Sequence, residues 1–161
     1  MQRFLSAAAT LFGVGRLRPG PGSWGSLVGL LLAVLLVEAG GAVALGVALA
    51  VSLVLGYVAA AAHELAGGGH DASEVVIDEV AGQWLTLLLL LLIRDGELSW
   101  IDYAAAFAAF RLFDIVKPWP ISAMDKNMPG AMGTMLDDLA AAIPAAGVLG
   151  LIYLAATSLG S

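Results

Sequence analysis

The sequence predicts an all-α, polytopic membrane protein, with about five membrane-embedded helices in a single domain that covers residues 1–161. Three observations support this class. Hydrophobic residues make up 60% of the chain and charged residues only 12%, against about 25% charge in a soluble domain. The apolar residues are gathered in long runs. These runs are rich in Leu and Ala and lack period-two alternation, so strands are disfavoured.

Five apolar runs are the candidate helices. A helix needs about 20 apolar residues to span a bilayer, within a range of roughly 17–25. Two runs meet that length, and three shorter ones need flanking residues to reach it. In chain order the runs cover residues 27–37, 42–62, 80–93, 103–116 and 140–159. The alternative is a very apolar soluble helical domain.

The basic residues predict which side of the membrane each loop occupies. With five crossings, six of the seven Lys and Arg residues lie on the N-terminal side, and only Arg94 lies opposite. Because basic loops stay in the cytoplasm, we expect the N-terminal side to be cytoplasmic. The polar segments 15–26, 63–79 and 117–138 share that side, so their side chains can converge on one substrate. The net charge of −6 disfavours nucleic acid as a partner.

Two pairs of adjacent carboxylates each precede an apolar run, Asp78–Glu79 and Asp137–Asp138. Acidic residues stabilise a helix N-terminus, so plain capping is the alternative explanation. If the helices pack side by side, however, the two pairs crowd together and repel one another unless a cation neutralises them. The chain has no cysteine, and clustered hard oxygens without thiolate suit Mg²⁺ or Mn²⁺.

A third polar segment, FRLFDIVKPWPI, spaces Arg111, Asp114 and Lys117 three residues apart. On a helix this spacing makes Arg111 a neighbour of Asp114, and Asp114 a neighbour of Lys117. Pro118 is expected to end the helix. A self-satisfied ladder of charges at the membrane interface is the alternative, but ionisable groups at membrane depth usually mark function.

The glycine-proline segment GRLRPGPGSWGS precedes the first run. Arg16 and Arg18 are candidate contacts for an anionic headgroup, and Ser23 and Ser26 are expected to cap the first helix. Its N-terminal N–H groups would then face an anion. Carboxylates that hold a metal, together with Arg and Lys, suit a phosphoryl group. The residues therefore indicate a metal-dependent enzyme that acts on a phosphorylated lipid headgroup.

The alternative function is a small membrane transporter or ion carrier that uses clustered carboxylates. It predicts carboxylates near the middle of the membrane, whereas the acidic pairs stand at the ends of the apolar runs.

Four blocks of the sequence resemble the phosphatidylglycerophosphatase A family of bacterial inner-membrane lipid phosphatases. In order they are GRLRPGPGSWGSL, HDASEVVIDEVAGQW, FRLFDIVKPWPI and GAMGTMLDDLAAA. Ser23 replaces an expected threonine, and GAMGTM departs from the family's glycine-valine-glycine-like turn. The resemblance implies Mg²⁺-dependent hydrolysis of the anionic phospholipid phosphatidylglycerophosphate to phosphatidylglycerol and phosphate. It also implies phosphatidylglycerol synthesis at the inner membrane, with the active site facing the cytoplasm.

The charges and the resemblance together assign roles to individual residues. The expected metal ligands are Asp78, Glu79, Asp137 and Asp138, with Asp114 as a further ligand or a neighbour of one. The expected substrate-binding residues are Arg16, Arg18, Ser23, Arg111 and Lys117. The expected catalytic residues are His70, Asp78, Asp114 and Lys117. The unperturbed pKa of histidine lies near neutrality, so His70 suits a general acid or base, or else is a loop histidine hydrogen-bonded to Asp71.

Overall fold

The computed structural model describes residues 7–63, 74–128 and 131–159, and within these ranges all regular secondary structure is helical. A 3-10 turn at Leu11–Arg16 comes first. It is followed by α1 (Pro21–His63), α2 (Ile77–Ile93), α3 (Trp100–Val116), α4 (Ile121–Asn127) and α5 (Ala131–Leu159). The predicted all-α class is confirmed.

Helix α1 folds back on itself at Gly40–Gly41, where the backbone leaves the helical region. Gly41 has φ 61° and ψ −148°, a combination that is essentially restricted to glycine. Gly29 lies against Val80 and Gly56 lies against Ile77, whereas a straight helix would separate residues 29 and 56 by about 40 Å. The first arm (residues 21–39) and the second arm (residues 42–63) therefore run antiparallel. With them, the described residues contain five long helical segments, each of which includes one predicted apolar run.

Helix α2 lies in the middle of the bundle, where its apolar side chains contact α1, α3 and α5. Trp84 is buried and its indole Nε1 donates a hydrogen bond to the Gly29 carbonyl oxygen at 2.7 Å. The main core consists of Ala33, Leu45, Leu49, Val80, Ala81, Trp84, Leu87, Leu90, Leu91, Tyr103, Ala106 and Met135. A second core joins α3, α4 and α5 through Phe110, Ile121, Ala141, Ala142 and Ala145.

Local signals fix both ends of α3. Ser99 and Asp102 form a capping box at its start, which satisfies backbone N–H groups that have no partner within the helix. The helix ends at Val116 because Lys117 adopts the left-handed conformation, with φ 44°, before Pro118. The predicted end of this helix is confirmed.

Among the residues that the structure describes, two helices are long and apolar enough to cross a membrane, at Pro21–Ala59 and Met135–Leu159. The first of these contains the Gly40–Gly41 bend. Many large apolar side chains on both are exposed, among them Leu35 and Val43 of α1 and Leu151 of α5. Soluble monomers rarely expose such extensive apolar surface, so these helices indicate membrane association.

Candidate active site

Three carboxylates converge where α2 begins. Asp78 and Glu79 belong to the first turn of α2, and Asp138 belongs to the second turn of α5. One oxygen from each lies within 4.8 Å of the others. Asp78 and Asp138 are only 3% and 4% exposed. We call these three residues the carboxylate cluster, and the end of the bundle that holds it the polar end.

Helix capping explains only one of the two acidic pairs. Asp78 and Glu79 are first-turn residues, and Asp78 Oδ1 accepts a hydrogen bond from the Glu79 N–H at 3.0 Å. The expectation that Asp137 and Asp138 also open their helix is wrong. Helix α5 begins at Ala131 and has no acidic residue in its first turn, because residues 131–135 of the Gly/Met segment that looked like a turn are helical. Capping therefore does not account for the buried Asp138.

Arg111 and Asp114 form the predicted pair on α3. Arg111 Nη1 donates to Asp114 Oδ2 at 2.5 Å, and both side chains are largely buried. Arg111 Nη1 also donates to Ser26 Oγ at 3.4 Å. Asp114 adds its negative charge to those of the carboxylate cluster. The carboxylate cluster and Asp114 thus bring four carboxylates beside the guanidinium of Arg111, which leaves an excess of negative charge in this group when they are ionised.

The start of α1 closes the site on one side. A Cβ atom added to Gly22 would lie 2.2 Å from Glu79 Oε1 and 3.2 Å from Arg111 Nη1. Only glycine lets the helix backbone approach the two charged groups this closely. Gly22 therefore helps to set the position of the Glu79 carboxylate.

Lys117 joins α3 to α4 and α5. Its Nζ donates to Asp125 Oδ1 at 2.6 Å and to Asp137 Oδ2 at 2.5 Å. Partial burial lowers the pKa of Lys117, but the hydrogen bonds and charges of Asp125 and Asp137 outweigh this effect and raise the pKa. The hydrogen bond from Lys117 lowers the pKa of Asp125. We call these three residues the lysine cluster.

The lysine cluster corrects one prediction. Lys117 was expected to neighbour Asp114 on the helix, but its hydrogen bonds go to α4 and α5 instead. The physical reason is the left-handed backbone at Lys117, which takes the residue off the helical spacing of three. Asp137 and Asp138 are adjacent, so they link the lysine cluster to the carboxylate cluster.

The remaining predicted binding residues lie around the start of α1. Arg16 Nε donates to Glu74 Oε2 at 3.1 Å in an exposed ion pair, of a kind that contributes about 0–1 kcal/mol. Arg18 is exposed and Ser23 is half-buried. His70 lies outside the described residues.

The expectation that Ser23 and Ser26 cap the first helix is wrong. Helix α1 begins at Pro21, a residue that suits the first helical position, so both serines lie inside the helix. Ser26 is fully buried, and its Oγ donates to the Gly22 carbonyl oxygen at 2.9 Å. Its second contact is with Arg111, as above.

Sequence reasoning also missed Asp125 and Gln83. Asp125 lies in the short helix α4, where no periodic pattern marked it as a partner of Lys117. Gln83 is 0% exposed, and neither atom of its amide has a hydrogen-bond partner among the described residues. The sequence did offer one signal for Gln83. It is a lone polar residue near the start of an apolar run, one turn after Glu79, and polar groups inside a membrane are costly and usually mark function.

Comparisons with known proteins agree with the resemblance. The chain matches the phosphatidylglycerophosphatase A family over residues 7–153. It is 38% identical over 132 residues to a phosphatidylglycerophosphatase A of Haemophilus influenzae, an alignment that covers 82% of this chain and 78% of that protein. With the protein of the same name from Escherichia coli strain K12, identity is 43% over 82 residues, or 51% of this chain and 45% of that protein.

A third relative carries a different name. A Bacteroides thetaiotaomicron protein with the provisional name phosphatidylinositol-3-phosphatase is 45% identical over 76 residues, which cover 47% of this chain and 45% of that protein. No solved structure matches the chain. The family match extends from before α1 into the last part of α5 and contains both the carboxylate cluster and the lysine cluster. The chain therefore belongs to the phosphatidylglycerophosphatase A family.

Proposed function

We propose that this protein is a Mg²⁺-dependent phosphatase that hydrolyses phosphatidylglycerophosphate to phosphatidylglycerol and inorganic phosphate. The observation that carries the proposal is the convergence of Asp78, Glu79 and Asp138 from two helices. Arg111 and Lys117 lie at the same end of the bundle. Metal-assisted phosphate hydrolysis uses carboxylate oxygens to hold the metal and cationic side chains to bind the phosphate. The names of the Haemophilus influenzae and Escherichia coli relatives support the substrate.

The donor set of the carboxylate cluster fits Mg²⁺. All three groups offer hard carboxylate oxygens, which are the ligands this ion prefers. Glu79 Oε2 is buried and has no hydrogen-bond partner among the described residues, so it is available as a ligand. Asp114 is the candidate further ligand. When bound, the ion supplies Lewis-acid polarisation of the phosphoryl oxygens.

Arg111 and Lys117 are proposed to bind the phosphate oxygens. The raised pKa of Lys117 keeps its ammonium protonated at neutral pH, so Lys117 acts as a fixed positive charge and not as a base. Arg111 holds Asp114 through Nη1, while its buried Nε has no partner within the described ranges. That N–H is one donor available for a phosphate oxygen.

The proposed role of Asp137 differs from that of Asp138. Both were predicted as metal ligands. The carboxylate cluster includes Asp138 but not Asp137, and Asp137 instead accepts a hydrogen bond from Lys117. We assign Asp137 to holding Lys117 in place beside the metal. Arg16, Arg18 and Ser23 are proposed to contact the lipid headgroup. His70 keeps its predicted role as general acid or base, eight residues before Asp78 in the sequence.

The proposed topology has five crossings of a bacterial inner membrane, with the polar end in the cytoplasm. The five long helical segments support the count, and the asymmetry of Lys and Arg supports the orientation. The carboxylates lie near the starts of α2 and α5. This favours an enzyme at the membrane surface over an ion carrier, which would place its carboxylates near mid-membrane.

A phosphate-release assay tests the function and its substrate together. The purified protein in mixed detergent–phospholipid micelles is given phosphatidylglycerophosphate with Mg²⁺, the same lipid with EDTA, or phosphatidylinositol 3-phosphate with Mg²⁺. We expect release from phosphatidylglycerophosphate with Mg²⁺, little with EDTA, and slower release from the inositol lipid. No release from either lipid with Mg²⁺ or Mn²⁺ would overturn the proposal. Faster release from the inositol lipid would overturn the substrate and favour the function named for the Bacteroides thetaiotaomicron relative.

A further inference from the structure

Buried polar atoms without a partner are concentrated at the polar end. Within the described ranges, the unpartnered buried side-chain atoms are Glu79 Oε2, Gln83 Nε2 and Oε1, Arg94 Nε and Arg111 Nε. Arg94 lies at the other end of α2. Its Nη1 donates a hydrogen bond to Asp102 at 2.7 Å, and its guanidinium lies over the ring of Tyr153. The other four atoms belong to residues of the proposed site or, for Gln83, to the next turn of its helix.

Gln83 differs from the others because its whole amide is unpartnered. Its side chain is 0% exposed, so bulk water does not reach it. Buried amides are almost always hydrogen-bonded, and leaving one unpaired destabilises the folded state. An apolar residue of similar shape would pack there without that cost. Packing alone therefore gives no reason for glutamine at this position.

The helix geometry directs Gln83 toward the carboxylate cluster. Gln83 follows Glu79 by four residues, so the two side chains share one face of α2. Side chains on a helix lean toward its N-terminus, which for Gln83 is the turn that carries Glu79. At the adjacent Gly82, the backbone of α2 lies against the backbone oxygen of Asp138 on α5. Gln83 thus lies one turn deeper than Glu79, on the same face of α2.

We infer that Gln83 is a positioning residue of the metal site, an assignment that rests on the proposed function. Its carboxamide hydrogen-bonds to the hydration shell of the divalent cation held by Asp78, Glu79 and Asp138. Mg²⁺ keeps several of its waters when bound to protein, and these need hydrogen-bond partners. An amide offers both an acceptor and a donor. Losing such an outer partner typically weakens metal binding about 10–100-fold.

The test measures Mn²⁺ affinity by electron paramagnetic resonance, together with thermal unfolding of the metal-free protein in detergent. Gln83→Met keeps the approximate shape and removes the amide. Thr86→Val is the matched control, because Thr86 is equally buried on the same helix and its hydroxyl already bonds to the Gly82 carbonyl oxygen at 2.9 Å. Gln83→Glu retains an acceptor at the site.

We expect Gln83→Met to bind Mn²⁺ about 10–100-fold more weakly while its metal-free unfolding temperature stays at or above that of the wild type. Thr86→Val and Gln83→Glu should keep Mn²⁺ affinity near the wild-type value. Wild-type affinity in Gln83→Met, or a fall in its metal-free unfolding temperature with unchanged affinity, would overturn the role of Gln83 and leave the proposed function standing. Absence of Mn²⁺ binding by the wild type would overturn both.

Discussion

Asp137 and Asp138 are neighbours in the sequence, but their carboxylates have different partners. Asp138 shares the carboxylate cluster with two residues of α2, whereas Asp137 accepts a hydrogen bond from Lys117. Consecutive residues on a helix point about 100° apart, so one acidic pair can serve two clusters. The sequence alone does not distinguish the two roles.

This division predicts different defects for two isosteric substitutions. Asp138→Asn removes a proposed ligand, so Mn²⁺ affinity should fall by more than the roughly 10–100-fold cost of losing an outer partner of a metal site. Asp137→Asn leaves all three cluster oxygens in place and should change Mn²⁺ affinity little, while raising KM for the lipid. Isothermal titration calorimetry and steady-state kinetics measure these two effects. Equal losses of affinity in the two variants would contradict the division.

Lys117 should act as a charge that does not titrate in the working pH range. Its pKa is raised in the folded state. The contribution of its ion pairs to the stability of the fold is therefore fully present at neutral pH and is lost only as pH rises through the folded-state pKa. Lys117→Gln should reduce the rate about 10²–10³-fold without changing the shape of the pH–rate profile.

Lys117→Arg preserves the charge and should retain more activity than Lys117→Gln. Asp125→Asn is the matched control, because Asp125 is exposed and Asp137 still holds the lysine. If the alkaline limb of the pH–rate profile disappeared in Lys117→Arg, deprotonation of Lys117 would set that limb, so Lys117 would titrate in the working range as a general acid and the assignment would fail.

At the residue scale, the acidic pairs and the Arg111–Asp114 pair were predictable because they depend on local spacing. The partners of Lys117 were not, because they depend on a left-handed residue and on how a seven-residue helix packs. The burial of Gln83 was equally hidden, since it follows from how the helices pack.

At the element scale, the first turn of α1 and the first turn of α2 are packed so closely that one methyl group should disturb the site. Gly22→Ala places a Cβ 2.2 Å from Glu79 Oε1 and must displace that carboxylate. Fold stability should change little, because alanine in a helix gains about 0.5–1 kcal/mol over glycine, which offsets the shift of a flexible side chain. Mg²⁺ activation should weaken about tenfold or more.

Gly46→Ala is the control for this substitution, because its added Cβ meets only Leu88 Cδ2 at an ordinary 3.8 Å. Thermal unfolding followed by circular dichroism and phosphate release against Mg²⁺ concentration measure the two effects. Wild-type Mg²⁺ activation of Gly22→Ala would show that the start of α1 does not set the position of Glu79.

The helices themselves were largely predictable, because long apolar runs determine them and Gly40–Gly41 and Lys117–Pro118 interrupt them. The start of α5 was not. Its first nine residues, 131–139, precede the predicted apolar run, and they contain Gly and Asp, which favour turns. Burial of Met135 in the core compensates for that weak local preference, so tertiary packing decides where the helix begins.

At the scale of the whole molecule, the proposed topology puts the site in the cytoplasm. Because the chain has no cysteine, single cysteines can report the side of the membrane directly. Asn127 and Glu97 are both exposed; Glu97 precedes α3 in the chain and Asn127 ends α4, which follows α3. In intact spheroplasts, a membrane-impermeant maleimide should label Glu97→Cys but not Asn127→Cys, and in inverted vesicles the pattern should reverse. Labelling of both positions from one side would contradict the topology.

The orientation is still a prediction from the sequence alone, because it depends only on which loops hold Lys and Arg. The sequence predicted that both acidic pairs lie on one side of the membrane. It did not give the distance between Asp138 and the pair Asp78 and Glu79. The three-dimensional bundle supplies that distance, and with it the choice of three candidate ligands.

The central claim is that the carboxylate cluster holds the divalent cation required for phosphate release. The most direct test is the initial rate of phosphate release from phosphatidylglycerophosphate against free Mg²⁺, for the wild type and for Asp78→Asn, with correct insertion of both confirmed by cysteine labelling at residue 97. We expect saturable activation of the wild type and almost no release by the variant at any Mg²⁺ concentration. Wild-type release that is unaffected by chelation, or Mg²⁺ activation of Asp78→Asn equal to that of the wild type, would contradict it.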